Sequence, residues 1–139
     1  MVAVLLGGGQ NPDTFGYLLH DAALKGHTGV AYLLIKKGAD PKRKNPQGAT
    51  PLHDAALAGH REVVELLLDQ GAPIDERDTD SLATPLYNAS SFGRTSVVQL
   101  LLERGSNSAL PNRAGQSPLH AATANGHNDT AALLKAATP

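Results

Sequence analysis

Six histidines are the residues of this chain best equipped for chemistry, and they fall into two sets. His20, His53 and His120 each follow a leucine, whereas His27, His60 and His127 each follow a glycine. A neutral imidazole can hold a metal, and its pKa lets it move protons near neutral pH. A regular set of histidines therefore raises two candidates, a metal centre and a general acid–base catalyst. The surrounding residues argue against both. The chain has no cysteine, which removes thiolate zinc sites, disulfides and a cysteine nucleophile. Ser90-Ser91 lacks the flanking glycines that present a serine nucleophile on a sharp turn. Gly7-Gly8-Gly9 is not followed by the Lys-Ser/Thr of a phosphate loop and reads instead as a helix stop. No catalytic residue, cofactor or metal ligand is assigned, and the chain is not expected to be an enzyme.

What the histidines share is a step along the chain. Ala49-Thr50-Pro51-Leu52-His53 recurs as Ala83-Thr84-Pro85-Leu86-Tyr87 and as Gln116-Ser117-Pro118-Leu119-His120, with a degenerate copy at Tyr17-Leu18-Leu19-His20. His20 to His53 is 33 positions, His53 to Tyr87 is 34, and Tyr87 to His120 is 33. Gly26, Gly59, Gly93 and Gly126 keep the same step, as do Gly38, Gly71 and Gly105. Such a period is the mark of a stacked-repeat architecture. The one extra residue falls within Asp78-Thr79-Asp80-Ser81-Leu82-Ala83, which is therefore read as a loop.

Local chemistry makes each unit two helices. Thr50 can cap a helix through its hydroxyl, and Pro51 suits the first helical position because its missing N–H is unpaired there anyway. A short Ala-rich helix is expected to about Ala58, where Gly59 supplies the left-handed stop. A second helix is expected from about Arg61 to Gln70. Its Val63, Val64, Leu66, Leu67 and Leu68 cover more than one stripe, as in a helix covered on two sides. Gly71 ends it, and the polar stretch from Ala72 to Ala83 reads as a projecting turn or hairpin. One such unit cannot cover its own apolar faces; neighbours must do so. Leu67 is accordingly expected to be fully buried.

Composition agrees. The 139 residues suit one domain, 41% are hydrophobic and only 4% aromatic, so the core must be thin layers of Leu, Val and Ala. The net charge of −1 gives no general pull towards nucleic acid or an anionic membrane. The longest apolar runs fall far short of the ~20 residues a membrane helix needs, and the first residues lack the basic start of a signal peptide. The absence of cysteine fits a reducing compartment. An intracellular setting, cytoplasmic or nuclear, is expected.

The text Gly48-Ala49-Thr50-Pro51-Leu52-His53-Asp54-Ala55-Ala56-Leu57-Ala58-Gly59-His60, followed by Val63-Val64-Glu65-Leu66-Leu67-Leu68 and Gly71-Ala72, resembles the ankyrin repeat. The resemblance implies an all-α solenoid of stacked helix-turn-helix units with projecting hairpin loops. It gives a single domain: a half-repeat or N-terminal cap at 1–12, repeats at 13–44, 45–77 and 78–111, and a fourth repeat or C-terminal cap at 112–139. The third repeat departs from the pattern with Tyr87 for His, Ser90 for Ala and Arg94 for His. The family likeness also implies structural roles for the histidines, one set bonding to the Thr or Ser at a helix start and the other holding neighbouring loops. Stacked helices lie about 10 Å apart, too far for successive histidines to share one zinc with bonds of about 2 Å.

Function then follows the family: a scaffold or adaptor that binds a partner protein or peptide on the concave face formed by the first helices and hairpin tips. The alternative is an accessory region of a larger multidomain enzyme or receptor. No nucleic acid, small-molecule substrate or cofactor is expected, and the chain is expected to be a monomer. The positions that map to the face are Asp21, Leu24 and Lys25 in the first repeat, then Gln47, Ala49, Asp54, Leu57 and Ala58. They continue with Asp80, Asn88, Ser91 and Phe92, and end with Arg113, Gln116 and Asn125. Leu24, Leu57 and Phe92 have two open readings, exposed in a groove or packed beneath the hairpins. Two charge clusters, Lys36, Lys37, Lys42, Arg43 and Lys44 against Asp69, Asp75, Glu76, Asp78 and Asp80, also have two. They either attract one another across adjacent fingers or form a bipolar strip for a charged partner.

Overall fold

The Thr-Pro and Ser-Pro pairs start helices in the way their chemistry requires. In a computed structural model describing residues 15–137, the hydroxyls of Thr50, Thr84 and Ser117 accept from the backbone N–H of His53, Tyr87 and His120. Each is followed by proline at the first helical position. These caps open α3 (Pro51–Ala58), α5 (Pro85–Ser91) and α7 (Pro118–Ala124). The degenerate copy opens α1 (Leu18–Lys25) with Tyr17 at the cap position and no side-chain cap. Each is paired with a second helix: α2 (Thr28–Lys36), α4 (Arg61–Asp69), α6 (Thr95–Glu103) and α8 (Asn128–Ala137). The described residues contain no strand. The expected half-repeat at 1–12, with its Gly7-Gly8-Gly9 stop, lies outside them.

The helices form two layers. α1, α3, α5 and α7 pack in series, α2, α4, α6 and α8 do the same, and each helix also packs on its partner within the pair. Between the layers lie Leu34, Leu67, Leu101 and Leu134 from the second helices, with Leu52 and Leu86 from the first, all fully buried. Val63, Val64, Val97 and Val98 complete the contacts on both sides of α4 and α6. Ala23, Ala55, Ala56, Ala89 and Ala122, all but free of solvent exposure, let the first helices approach closely. The stack is thus a chain of neighbour interfaces with no single centre.

Hairpin turns join successive pairs, and each is organised by one side chain. Asn45 Oδ1 accepts from the N–H of Gln47 and Ala49. Asp78 Oδ1 accepts from those of Ser81 and Ala83, and Asn112 Oδ1 from those of Ala114 and Gln116. The first and third turns close from Asn45 to Ala49 and from Asn112 to Gln116, while the second closes from Asp78 to Ala83, one residue longer. That is the extra residue placed in this loop by the sequence. The tips are bonded in series: Thr79 N–H to the Gln47 carbonyl at 3.0 Å, and Arg113 N–H to that of Ser81 at 2.6 Å. A Cβ at Gly48, whose φ is +77°, would overlap Thr79, so this approach needs glycine for space as well as for conformation.

Candidate functional site

Four of the six histidines, His20, His53, His60 and His127, bond to the backbone of a neighbouring unit. His53 Nδ1 accepts from the Thr50 N–H at 3.1 Å, which leaves Nε2–H to donate to the Ala83 carbonyl at 2.9 Å. One ring thus ties its own helix start to the next hairpin. His20 Nε2 likewise donates to the Ala49 carbonyl, but its Nδ1 is buried without a partner and does not tie its own helix start. Burial holds the pKa of both imidazoles below the ordinary value of 6.5, and for His20 the charge of Arg43 adds to the effect. The second set reaches backwards: His60 Nε2 donates to the Leu24 carbonyl and His127 Nε2 to that of Ser91. Arg94, in the same row, donates from Nε to Leu57 at 2.9 Å. The preceding glycine makes room for each of these side chains. A Cβ at Gly26 would come within 2.6 Å of the His60 ring, and one at Gly59 within 2.7 Å of Arg94 Cδ. Among the described residues, no three His, Asp or Glu side chains converge where a metal ion could sit.

The acidic cluster is largely engaged, and the basic cluster meets it through Lys44. Lys44 pairs with Glu76 at 2.7 Å and Arg104 with Asp69 at 2.7 Å. Asp75 accepts from Ser106 Oγ and the Asn107 N–H. Arg77, which follows Glu76, donates to the carbonyls of Leu82 and Pro111. One ion pair, Lys44 with Glu76, joins the two clusters, and the other acids bond mainly to the following unit or to their own turn. A polar cleft of about 380 Å³ between the starts of α6 and α8 is likewise lined by engaged groups. Thr95 and Thr130 bond through their hydroxyls at 2.9 Å, and His127 is tied to Ser91.

The fifteen positions assigned to a binding face from the sequence divide by what they touch. Asp21, Leu24, Lys25, Gln47, Asp80, Phe92, Arg113, Gln116 and Asn125 are exposed, and Asp54, Leu57, Ala58, Asn88 and Ser91 are half-buried. Ala49 is the exception. It is buried, its carbonyl taken by His20 and its N–H by Asn45, so it does not belong to an accessible surface. Three of the exposed residues hold neighbours. Arg113 donates to the Thr79 and Asp80 carbonyls. Asn125 Nδ2 donates to the Ser91 carbonyl. Gln116 faces Tyr87, Asn112 and His120. Lys25 and Asp21 form an exposed pair at 3.3 Å.

What remains is a short apolar row beside one bare carboxylate. Leu24 is 46% and Phe92 52% exposed, while Leu57 between them is half-buried. This separates the two readings for these side chains: Leu24 and Phe92 lie open, and Leu57 is partly covered. Asp54 lies one turn before Leu57 on the same side of α3. Burial raises its pKa from 3.8 to about 6, and among the described residues nothing donates to its carboxylate. The turn-forming Asn45, Asp78 and Asn112 were missed as a set by the sequence reading, although their 33- and 34-residue spacing was there to find.

The family model for ankyrin repeats (3 copies) matches residues 1–78 and 74–138. No curated protein matches the chain.

Proposed function

The chain belongs to the ankyrin-repeat family, whose repeats generally serve as protein–protein interaction modules and are not typically catalytic, and from that premise we propose that it is a binding module. In this reading it holds a segment of a partner protein along the face of α1, α3, α5 and α7 and the hairpin tips. The observation that carries it is the exposure of Leu24 and Phe92, with Leu57 between, on a face otherwise made of polar and small residues. Apolar groups kept in contact with water beside polar neighbours often mark an interaction surface, and an aromatic ring is the commonest kind of anchor. Phe92 replaces the alanine found at position 58 of the preceding repeat, so the stack itself does not call for a ring there.

No step of chemistry is assigned to the chain: four of its six histidines hold neighbouring units together, and among the described residues no three His, Asp or Glu side chains converge. It acts as a monomer on a protein or peptide, with no nucleic acid, membrane, cofactor or small-molecule substrate. The absence of cysteine suits an intracellular, reducing setting; among the described residues, no helix is long and apolar enough to cross a membrane. Affinity capture by the full chain tests the reading, run in parallel with Phe92→Ala and Leu57→Ala. The expected result is a partner retained by the parent chain and lost by both variants while their melting temperatures stay close to the parent's. A partner retained by both variants would place binding elsewhere.

A further inference from the structure

Asp54 is out of place in a free protein. It is half-buried on α3, burial raises its pKa from 3.8 to about 6, and none of the described residues gives it a hydrogen bond or an ion pair. The neighbouring first helices offer no relief. The only fixed cation on α1, Lys25, is engaged by Asp21 at 3.3 Å, and α5 carries no charged side chain from Pro85 to Ser91. At the matching positions on the two flanking helices stand exposed Asp21 and half-buried, neutral Asn88. The other half-buried acids among the described residues show the contrast: Asp75, Glu76 and Asp78 all have partners in the fold. A desolvated charge without a partner is unfavourable, and an amide of the same shape would remove that cost.

We propose that Asp54 is the cation-recognition point of this face, receiving the guanidinium or ammonium group of an Arg or Lys in the bound segment while an adjacent apolar side chain of that segment rests against Leu57 and Phe92. The inference rests on the reading of this face as a protein-binding surface and names the chemistry of what binds there. Three features suit it. The carboxylate has already lost much of its water, so a charge-assisted hydrogen bond forms there with less further desolvation than at an exposed acid. Leu57 lies one turn along the same helix, so a cation and an apolar group a few residues apart in an extended segment can reach both. A neutral partner would cover Asp54 without compensating it, so the same group that favours a cation penalises its absence, which is how a single charge confers specificity.

Selection of short random peptides displayed on phage tests this, performed on the full chain and in parallel on Asp54→Asn and Phe92→Ala, with affinities of the selected peptides measured by fluorescence polarisation. The expected peptides carry an Arg or Lys within a few residues of an apolar side chain, bind Asp54→Asn about tenfold or more weakly, and lose the same factor when that Arg or Lys is replaced by Gln. The two changes together should cost little more than either alone, the sign of a direct pair. Asp54→Asn should melt no lower than the parent, which separates lost recognition from lost folding. Peptides sensitive to Phe92→Ala but indifferent to Asp54→Asn, or selected without any cation, would overturn this inference and leave the binding face standing. Peptides indifferent to both variants, or no selected peptides, would overturn the binding face and the inference with it.

Discussion

The second and third helix pairs share one backbone plan but leave different groups unsatisfied. In α3 and α4, Thr50 and His53 satisfy one another and reach the next hairpin, Ala56 fills the inner face, and Gly59 and His60 close the loop. The half-buried carboxylate without a partner there, that of Asp54, lies on the open face. In α5 and α6 the same positions hold Tyr87, Ser90, Gly93 and Arg94. Two of these exchanges are compensated: the Tyr87 hydroxyl accepts from Asn112 Nδ2, and Arg94 reaches the carbonyl of Leu57 as His60 reaches that of Leu24. Two others are not. Ser90 Oγ is buried without a partner, and Leu82 holds a φ of +56° in the turn before α5. The repeat thus tolerates a change of side chain where the bond can be remade, and bears a cost where the backbone or the core fixes the alternatives.

The largest expected effect tests whether the two pairs are equal where they look equal. Leu67 and Leu101 are both fully buried between their neighbours. Leu67→Ala and Leu101→Ala should each lower stability by about 2–5 kcal/mol in denaturant melts. A loss of under about 0.5 kcal/mol at either, a surface-like value, would mean that the pair is not held by its neighbours.

Acid should separate the pairs next. The pKa of His53 in the folded chain is below its unfolded value near 6.5, so its contribution is complete above that value and is lost as pH falls through the folded pKa. Tyr87 stands in the matching place of the third pair, so that pair lacks this histidine. Asp54 has the opposite sign: with a folded pKa of about 6, raised from 3.8, it adds stability as pH falls from 6 towards 4. Asp54→Asn should therefore be at least as stable as the parent at pH 7 and lose stability more steeply on acidification. Urea melts at stepped pH check both, and hydrogen exchange should show protection falling more in α3 than in α5.

Much of this plan was legible before any coordinates. The Thr-Pro starts, the glycine stops and buried Leu67 follow from rules that act within a few residues or from a period that any stack must obey. Less legible was which side of a helix a neighbour covers. Val30 and Leu33 repeat as Val63 and Leu66, yet Val30 is 40% exposed and Val63 fully buried, so one register position is covered in one pair and open in another. Ala49 was placed on the binding face because its position is at the edge of a turn, but the histidine of the previous repeat draws its backbone inward. The condition of Asp54 was hidden for the same reason: its row was read as polar, and loss of water depends on packing across three helices.

Ser90 gives a smaller effect. Its hydroxyl is buried with no partner, at a position held by fully buried Ala23 and Ala56 in the two preceding pairs. Ser90→Ala should raise stability by about 1 kcal/mol, since leaving such a group unpaired costs about 1–3 kcal/mol and alanine is also the better helix former. No gain in a urea melt would mean that the hydroxyl is satisfied in solution and that the third pair is no worse packed than the second.

The turns give the smallest and most discriminating comparison. Gly48, Leu82 and Gly115 all take positive φ at matching places, +77°, +56° and +78°. A left-handed conformation costs a side-chain-bearing residue roughly 1–2 kcal/mol. Leu82→Gly relieves that cost, but glycine gains about 0.4–1 kcal/mol of freedom in the unfolded chain, and the partial cover of Leu82 is lost. The net gain should be about 0.5 kcal/mol. The converse changes set the scale. Around Gly115 there is open space, so Gly115→Ala should cost only the strain, about 1 kcal/mol. A Cβ at Gly48 meets the backbone of Thr79, so Gly48→Ala should cost more and should loosen the bond from Thr79 N–H to Gln47. Equal losses at positions 48 and 115 would show that the fingers do not hold each other at this distance, and that conformation alone selects glycine in both turns.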